Sequence, residues 1–474
     1  VRDVHTVAAV REAEEALMAR LPEGALMQRA ATALATQCAG VLGKVYGSRV
    51  VLLVGGGNNG GDALYAGAWL ARRGARVTAL LIDPDRAHAG GLVALDAAGG
   101  RSALADPSLV PGADLVVDGI TGLGGHPGLR GLAKDMVAAV DSVVVSVDLP
   151  SGVHADTGAA DDTAVRADLT VTFGALKTGL LVGPGADLAG EVRLIDIGLG
   201  PDLPEARARV LEAGDVAAVL PQPGADDDKY TRGVVGVVAG SPEYRGAGVL
   251  ATGAALVGGA GMVRYLGRAP EQIRDRYPEV VVHDASRPRE VRVQAWVVGP
   301  GLGTDNVAQA LVAEVLRSDL PVIVDADAIT LVARAPGLVH GRRAPTVLTP
   351  HDREFARLAG EPGADRLSAV RRAAAEFGAT VLLKGNATIV ADPDGLAYLN
   401  PTGTPWLATA GSGDVLSGLI GSLLASGLPA TLATAVAAYL HGVAGQQAAA
   451  AGPATSADIL AALPRAIRTV TAGS

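Results

Sequence analysis

The sequence predicts an α/β protein built from two doubly wound units. Three observations carry that prediction. Short apolar runs alternate with helix-like segments, the pattern of parallel strands covered by helices on both faces. A junction rich in proline, glycine and aspartate interrupts the alternation, which then restarts. Glycine-rich turns follow several of the apolar runs, at the strand ends where open α/β sheets bind ligands. With 474 residues the chain has room for two large domains, and the composition places them at 1–211 and 212–474.

In the first half, 49–54 (RVVLLV) reads as a strand, 62–73 (DALYAGAWLARR) as a helix stopped by Gly74, and 76–82 (RVTALLI) as the next strand. Apolar runs at 113–117, 142–147, 169–173 and 192–195 continue the series. The junction follows, with Pro201, Pro204 and then 220–228 (LPQPGADDD). Beyond it, 234–239 reads as a strand and 246–262 as a helix of small apolar residues, with buried strands at 295–298, 322–324, 346–348 and 380–383. No repeat of residues links the two halves. No Asp, Glu, Lys or Arg occurs from Val415 to Ala457, but Gly427, Leu428 and Pro429 interrupt the stretch. It therefore reads as two buried helices and not as a membrane span.

Hydrophobic residues make up 49% and charged residues 19%, which excludes disorder as the main state. The net charge of -9 argues against a nucleic-acid binder. Cys38 is the single cysteine, so intrachain disulfides and cysteine zinc sites are excluded, and the thiol reads as a small core residue. The N-terminal VRDVHTVAAVREAEE has no apolar signal core. This balance is common among soluble enzymes and leads to the expectation of a cytoplasmic protein with no nucleic-acid and no membrane partner.

The most specific chemical signal is NPTGTPWLATAGSGD (400–414), running straight into VLSGLIGSLL. The turn opens a helix at about Asp414. The amides of Gly411, Ser412 and Gly413 then converge on one spot before its positive end, an anion hole. Asp414 at that spot can take a proton from an attacking hydroxyl, or simply cap the helix. Three further stretches lie at strand ends: VDADA (324–328), LTPHDREF (348–355) with His351, and VLLKGNATIV (381–390), a strand, a K-G turn and a strand.

Residues 229–445 resemble the ribokinase-like ADP- or ATP-dependent NAD(P)H-hydrate dehydratases. KYTRGVVGVVAGSPEYRGAGVLA, VVGPGLG (297–303), VDADAITL, LTPHDREFARL, LLKGNATIVADPDG and NPTGTPWLATAGSGD follow in the family's order. Departures are Asp228 before Lys229, Asp352-Arg353 after His351, and Ala410 before the GSGD motif. The resemblance implies a ribokinase-like α/β domain that repairs NADH or NADPH hydrated at C6 of the nicotinamide ring. The nucleotide, with Mg2+, phosphorylates the C6 hydroxyl, Asp414 acting as base; phosphate then leaves. Bacterial-type members generally use ADP. The family's nucleotide contacts map onto Lys384, Gly385, Asn386, Ala387, Thr388, Gly411, Ser412 and Gly413. Its hydrate contacts map onto Gly248, Gly303, His351 and Asp414.

GGGNNGGD (55–62) follows the first strand and contains G-x-G-x-x-G, with Asp83 at the distance a dinucleotide-binding turn expects. Against a dehydrogenase, Asn58, Asn59 and Asp62 put oxygen atoms where such a loop keeps small residues, an array suited to a polar ligand or hard cation. Asp118 with its glycine-rich loop, and Asp148 with Ser151, end neighbouring strands. LMQRAA, GNNGGD, DGITGLGG, VDLPSGVHADTG and FGALKTGLL, spread over nearly all of residues 1–200, resemble the NAD(P)H-hydrate epimerases. Ala63 and Thr121 depart from that family's usual Gly and Phe.

The resemblance implies a Rossmann-like, three-layer parallel-sheet domain. Its potassium ion (K+) maps onto Asn59, Asp118 and Ser151. Substrate contacts map onto Asn58, Asn59, Gly60, Gly61 and Asp62, and onto Gly122, Leu123, Gly124, Gly125, His126, Pro127 and Gly128. Asp148 maps onto its acid/base. Together the halves imply a bifunctional repair enzyme and a homo-oligomer. The alternative is a ribokinase-like small-molecule or vitamin kinase fused to a non-catalytic Rossmann-like binding or scaffold domain.

Overall fold

The computed structural model describes residues 1–284 and 288–472. The chain divides into two compact units, residues 3–207 and residues 208–474, the latter together with Val1 and Arg2.

The strands up to the division are β1 (Arg2–His5), β2 (Arg49–Val54), β3 (Arg76–Leu81), β4 (Arg101–Leu104), β5 (Leu115–Gly119), β6 (Val144–Val147), β7 (Leu169–Phe173), β8 (Leu176–Lys177) and β9 (Glu191–Ile195). Seven of them form one parallel sheet in the order β4-β3-β2-β5-β6-β7-β9. Apart from this sheet, β1 pairs in parallel with β8, Val4 opposite Leu176. The alternation of side chains along β2 explains its unbroken apolar run. Val50, Leu52 and Val54 enter one core with Leu34, Cys38, Leu64 and Leu70. Val51 and Leu53 enter the opposite core with Leu80, Val116 and Met136. Both faces are therefore dry, as a covered parallel sheet requires.

The helix after β2 spans Asn58–Arg72 and not 62–73. Asn58, Asn59, Gly60 and Gly61 thus belong to its first turn, not to a loop. Gly57, at φ 91°, caps it, and the Gly61 N–H already donates to Gly57 O at 3.1 Å. Tertiary contact overrides the poor helix propensity of Asn and Gly here. A Cβ at Gly60 would lie 2.4 Å from Gly55 O, so this close approach of helix to strand needs a glycine.

The second unit contains β10 (Ala208–Val210), β11 (Val234–Val238), β12 (Met262–Tyr265), β13 (Val281–Val282), β14 (Ala295–Val298), β15 (Val322–Val324), β16 (Thr346–Leu348), β17 (Thr380–Leu383), β18 (Thr388–Ala391) and β19 (Ala397–Asn400). Their order is β13-β12-β11-β14-β15-β16-β17-β18-β19-β10. Strands β11 to β17 run parallel, and β18 is antiparallel to both neighbours. The expected helix at 246–262 is Arg245–Val257; Gly258 and Gly259 end it, and Met262 already belongs to β12. The charge-free stretch forms Ser412–Ala425 and Ala430–Ala449. Among the described residues no helix is long and apolar enough to cross a membrane. Glycine brings Ser412–Ala425 into backbone contact with the helix Arg245–Val257, since a Cβ at Gly418 would lie 2.1 Å from Ala251 O.

Candidate functional site

In the first unit the strand order reverses between β2 and β5, the switch point where open sheets bind ligands. A cleft of about 650 Å³ opens there, lined among others by Arg11, Glu14, Asn59, Asp62, Gly122 and Asp148. Asn58, Leu123, Gly124 and Asp83 also reach it. Gly60 and Gly61 lie buried in the helix behind it. Gly125, His126, Pro127 and Gly128 do not line it; the Gly128 N–H donates to Gly152 O at 2.8 Å.

Below the cleft, Asp118 is fully buried. It accepts from Ser151 Oγ at 2.5 Å, Ser151 N at 2.9 Å, Ser146 Oγ at 2.8 Å and Ile120 N at 3.3 Å. Burial pushes its carboxyl up, and these four donors oppose the shift. All four are neutral. Asn59 Nδ2 donates to Thr121 O at 3.1 Å, and Thr121 N donates to Ser151 Oγ at 2.9 Å. Carbonyl, hydroxyl and carboxylate oxygens thus gather at the buried Asp118 carboxyl. That donor set fits a hard cation.

Asp148 follows β6 with φ 65°, a left-handed conformation that is strained for a non-glycine residue and concentrated at functional sites. Its Oδ1 accepts from Lys177 Nζ at 2.5 Å and Thr172 Oγ1 at 3.0 Å. Lys177 is 1% exposed and also donates to Phe173 O at 2.9 Å. Asp62 is 9% exposed, and its Oδ1 has no hydrogen-bond partner. Burial, then Asp148 and Glu14, push its carboxyl well above the usual range.

The second unit gathers its polar groups at the carboxyl ends of β11, β14, β15, β16 and β17. The helix Ser412–Ala425 starts two residues before Asp414, which therefore stands in its first turn. Gly411 precedes it at φ 88°, where a Cβ would meet Leu250 Cδ1 at 2.5 Å. Ser412 Oγ lies 3.1 Å from His441 Nε2. Burial takes that imidazole down to about 4, so it is neutral at ordinary pH. Burial and the neighbouring Asp325 raise the Asp414 carboxyl to about 7. Asp325 is 1% exposed; it accepts from Lys384 Nζ at 2.8 Å and from Ser417 Oγ at 2.8 Å. A Cβ on Gly413 would lie 3.3 Å from that ammonium. One helix N-terminus, one cation and one carboxylate poised to accept a proton thus share a single spot.

Around it, Gly303 N donates to Asp327 Oδ2 at 2.8 Å, and buried Gly248 lies under Tyr265. His351 caps the helix Asp352–Ala359, accepting from Glu354 N at 3.2 Å, and its side chain stays 48% exposed. Gly385, Asn386 and Ala387 form the tip of the β17–β18 hairpin, with Thr388 opening β18.

The family models fit these two units. One described as NAD(P)H-hydrate dehydratase matches residues 235–465, and the YjeF-related protein N-terminus matches residues 23–179. The bifunctional NAD(P)H-hydrate repair enzyme Nnr of Mycobacterium leprae is 52% identical over 449 residues, covering 93% of either chain. The chain belongs to the bifunctional NAD(P)H-hydrate repair enzymes. The family member from Moorella thermoacetica is 39% identical, over 86% of this chain and 84% of its own. Among solved structures, a ribokinase-like superfamily protein from Enterococcus faecalis matches with a TM-score of 0.52 at 29% identity, covering 56% of this chain and 98% of its own. The ADP/ATP-dependent NAD(P)H-hydrate dehydratase from Bacillus subtilis, co-crystallised with ATP and Mg2+, matches with a TM-score of 0.50 at 30% identity, covering 55% and 98%.

In this member of the repair enzymes, sequence reasoning passed over Lys177, Glu14, Asp325, Ser417 and His441 as individual residues. Lys177 and Asp325 stood inside quoted motifs, FGALKTGLL and VDADAITL, and carried a readable signal. Glu14 and His441 carried none, because a helix places them beside partners far away in sequence.

Proposed function

We propose that the chain restores NADH and NADPH hydrated at C6, epimerising the hydrate in residues 1–211 and dehydrating the S epimer in residues 212–474 at the expense of ADP. The observation that carries the reading is Asp414, raised to about 7 beside Lys384 at a helix N-terminus. A base of that strength is matched to neutral pH. Asp414 takes the proton of the C6 hydroxyl as its oxygen attacks the β-phosphorus of ADP. AMP leaves, and Lys384 with the amides of Gly411, Ser412 and Gly413 holds the transferred phosphoryl group. Phosphate then departs from C6 with the bonding pair, a proton leaves C5, and the ring double bond returns. Mg2+ bound to ADP would offset charge on the phosphates. Gly385, Asn386, Ala387 and Thr388 would flank the nucleotide, and Gly248, Gly303 and His351 the hydrate.

In the epimerase half, Asn59, Asp118 and Ser151 would hold K+, whose charge would offset that of the buried Asp118. Asn58, Asp62 and the Gly122–Gly124 backbone would contact the hydrated ring, with Asp148 as acid/base. We place the enzyme in the cytoplasm as a homo-oligomer; its one buried cysteine suits a reducing compartment.

The test is single-turnover dehydration of the purified S epimer with ADP and Mg2+. Asp414→Asn should slow it by about 10²–10⁴-fold, the usual size of a lost general base, and AMP should appear one-for-one with NADH. A stable phosphorylated product would instead favour the small-molecule kinase.

A further inference from the structure

The epimerase cleft holds more acid than the mapped roles use. Inverting C6 of the hydrate exchanges a hydroxyl from one face of the ring to the other. One group must give a proton to the departing oxygen, and another must take one from the arriving oxygen. Asp148 serves one of these roles. Two observations single out a partner for it. The carboxylate of Asp148 is ion-paired with buried Lys177 and also accepts from Thr172 Oγ1, the environment of a proton acceptor. Asp62 lines the same cleft, is 9% exposed, and leaves Oδ1 without a hydrogen-bond partner. A buried carboxyl oxygen without a donor is costly as an anion and far less so in a protonated group. The two carboxyls are thus set apart by their surroundings, the arrangement that divides acid from base within one site.

We propose that Asp62 is the catalytic proton donor of the epimerisation, sharing the cleft with Asp148 as the acceptor. The inference rests on the epimerase reading of this half. Asp62 gives its proton to the C6 hydroxyl, the C–O bond breaks, and water leaves with the bonding pair. The ring nitrogen's lone pair forms the C=N bond of an iminium. Water then adds to the opposite face, the π pair returns to nitrogen, and Asp148 takes the proton of the added water. One water leaves and one enters. The proton returns from Asp148 to Asp62 through cleft water, so nothing is consumed.

The charged groups around Asp62 are Arg11, Glu14, Glu15, Asp83, Arg86 and Asp148 on the cleft wall, with Lys177 behind Asp148; His88 packs over Gly61. Burial, Asp148 and Glu14 all act to keep the Asp62 proton in place, and Glu14 is itself pushed up by burial and Asp148. The acid form is the active one. Epimerisation therefore falls as pH rises through the raised value of Asp62.

The experiment follows interconversion of the separated NADH-hydrate epimers by chromatography, on the whole chain, with ADP omitted. In Asp62→Asn the rate should fall by about 10²–10⁴-fold, with KM for the hydrate little changed and dehydration of the S epimer intact on the same chain. The wild-type profile needs no variant and should show the falling limb at high pH. In water enriched in oxygen-18, each inversion should place one labelled oxygen at C6. If Asp62→Asn keeps its rate within about threefold, if the limb is absent, or if inversion proceeds without label, the assignment is overturned. If the wild-type chain does not interconvert the epimers at all, the epimerase reading itself falls.

Discussion

At the residue scale, each site holds a lysine against a carboxylate. Lys177 lies directly on Asp148. Lys384 lies directly on Asp325 and only at longer range from Asp414, whose carboxyl burial and Asp325 raise to about 7. A base must be ionised to act. Dehydration should therefore rise with pH through about 7 and level off above it, measured as kcat/KM on the S epimer. The same shift bears on stability. Asp414 binds its proton more tightly folded than unfolded, so its contribution is fully present below the unfolded value and is lost as pH rises through about 7. Asp414 itself was legible in the sequence, because the GSGD turn and the helix after it declare an anion hole. Lys177 stood inside the FGALKTGLL motif, but its pairing was not legible, because its partner Asp148 lies 29 residues away.

At the element scale, glycine decides how closely backbones approach. In the helix Ser412–Ala425, Gly418 faces Ala251 O, where a Cβ would lie 2.1 Å away. Gly418→Ala should destabilise the second unit by about 1–3 kcal/mol through overpacking, read from urea unfolding. A change below about 0.5 kcal/mol would mean that the helices can slide apart. The long apolar strands were legible because burial on two faces writes itself as unbroken Val and Leu. β4 and β13 were not, since RSAL and VV carry no period. The first turn of Asn58–Arg72 was read as a loop because Asn and Gly are weak helix formers. Its helical geometry follows from the approach to Gly55, which no local propensity encodes.

At the scale of the whole molecule, the two units carry two consecutive reactions on one substrate. The dehydratase acts on one epimer, and the epimerase supplies it from the other. This division was legible from the order of motifs, while the pairing of Asp62 with Asp148 needed side-chain geometry. One chain should therefore repair the entire hydrate pool. The most direct measurement is recovery of reduced-nicotinamide absorbance from a mixed-epimer NADH-hydrate sample, with ADP, Mg2+ and K+ present. Complete recovery is expected, abolished by Asp414→Ala. Recovery that stops when the S epimer is exhausted would contradict it.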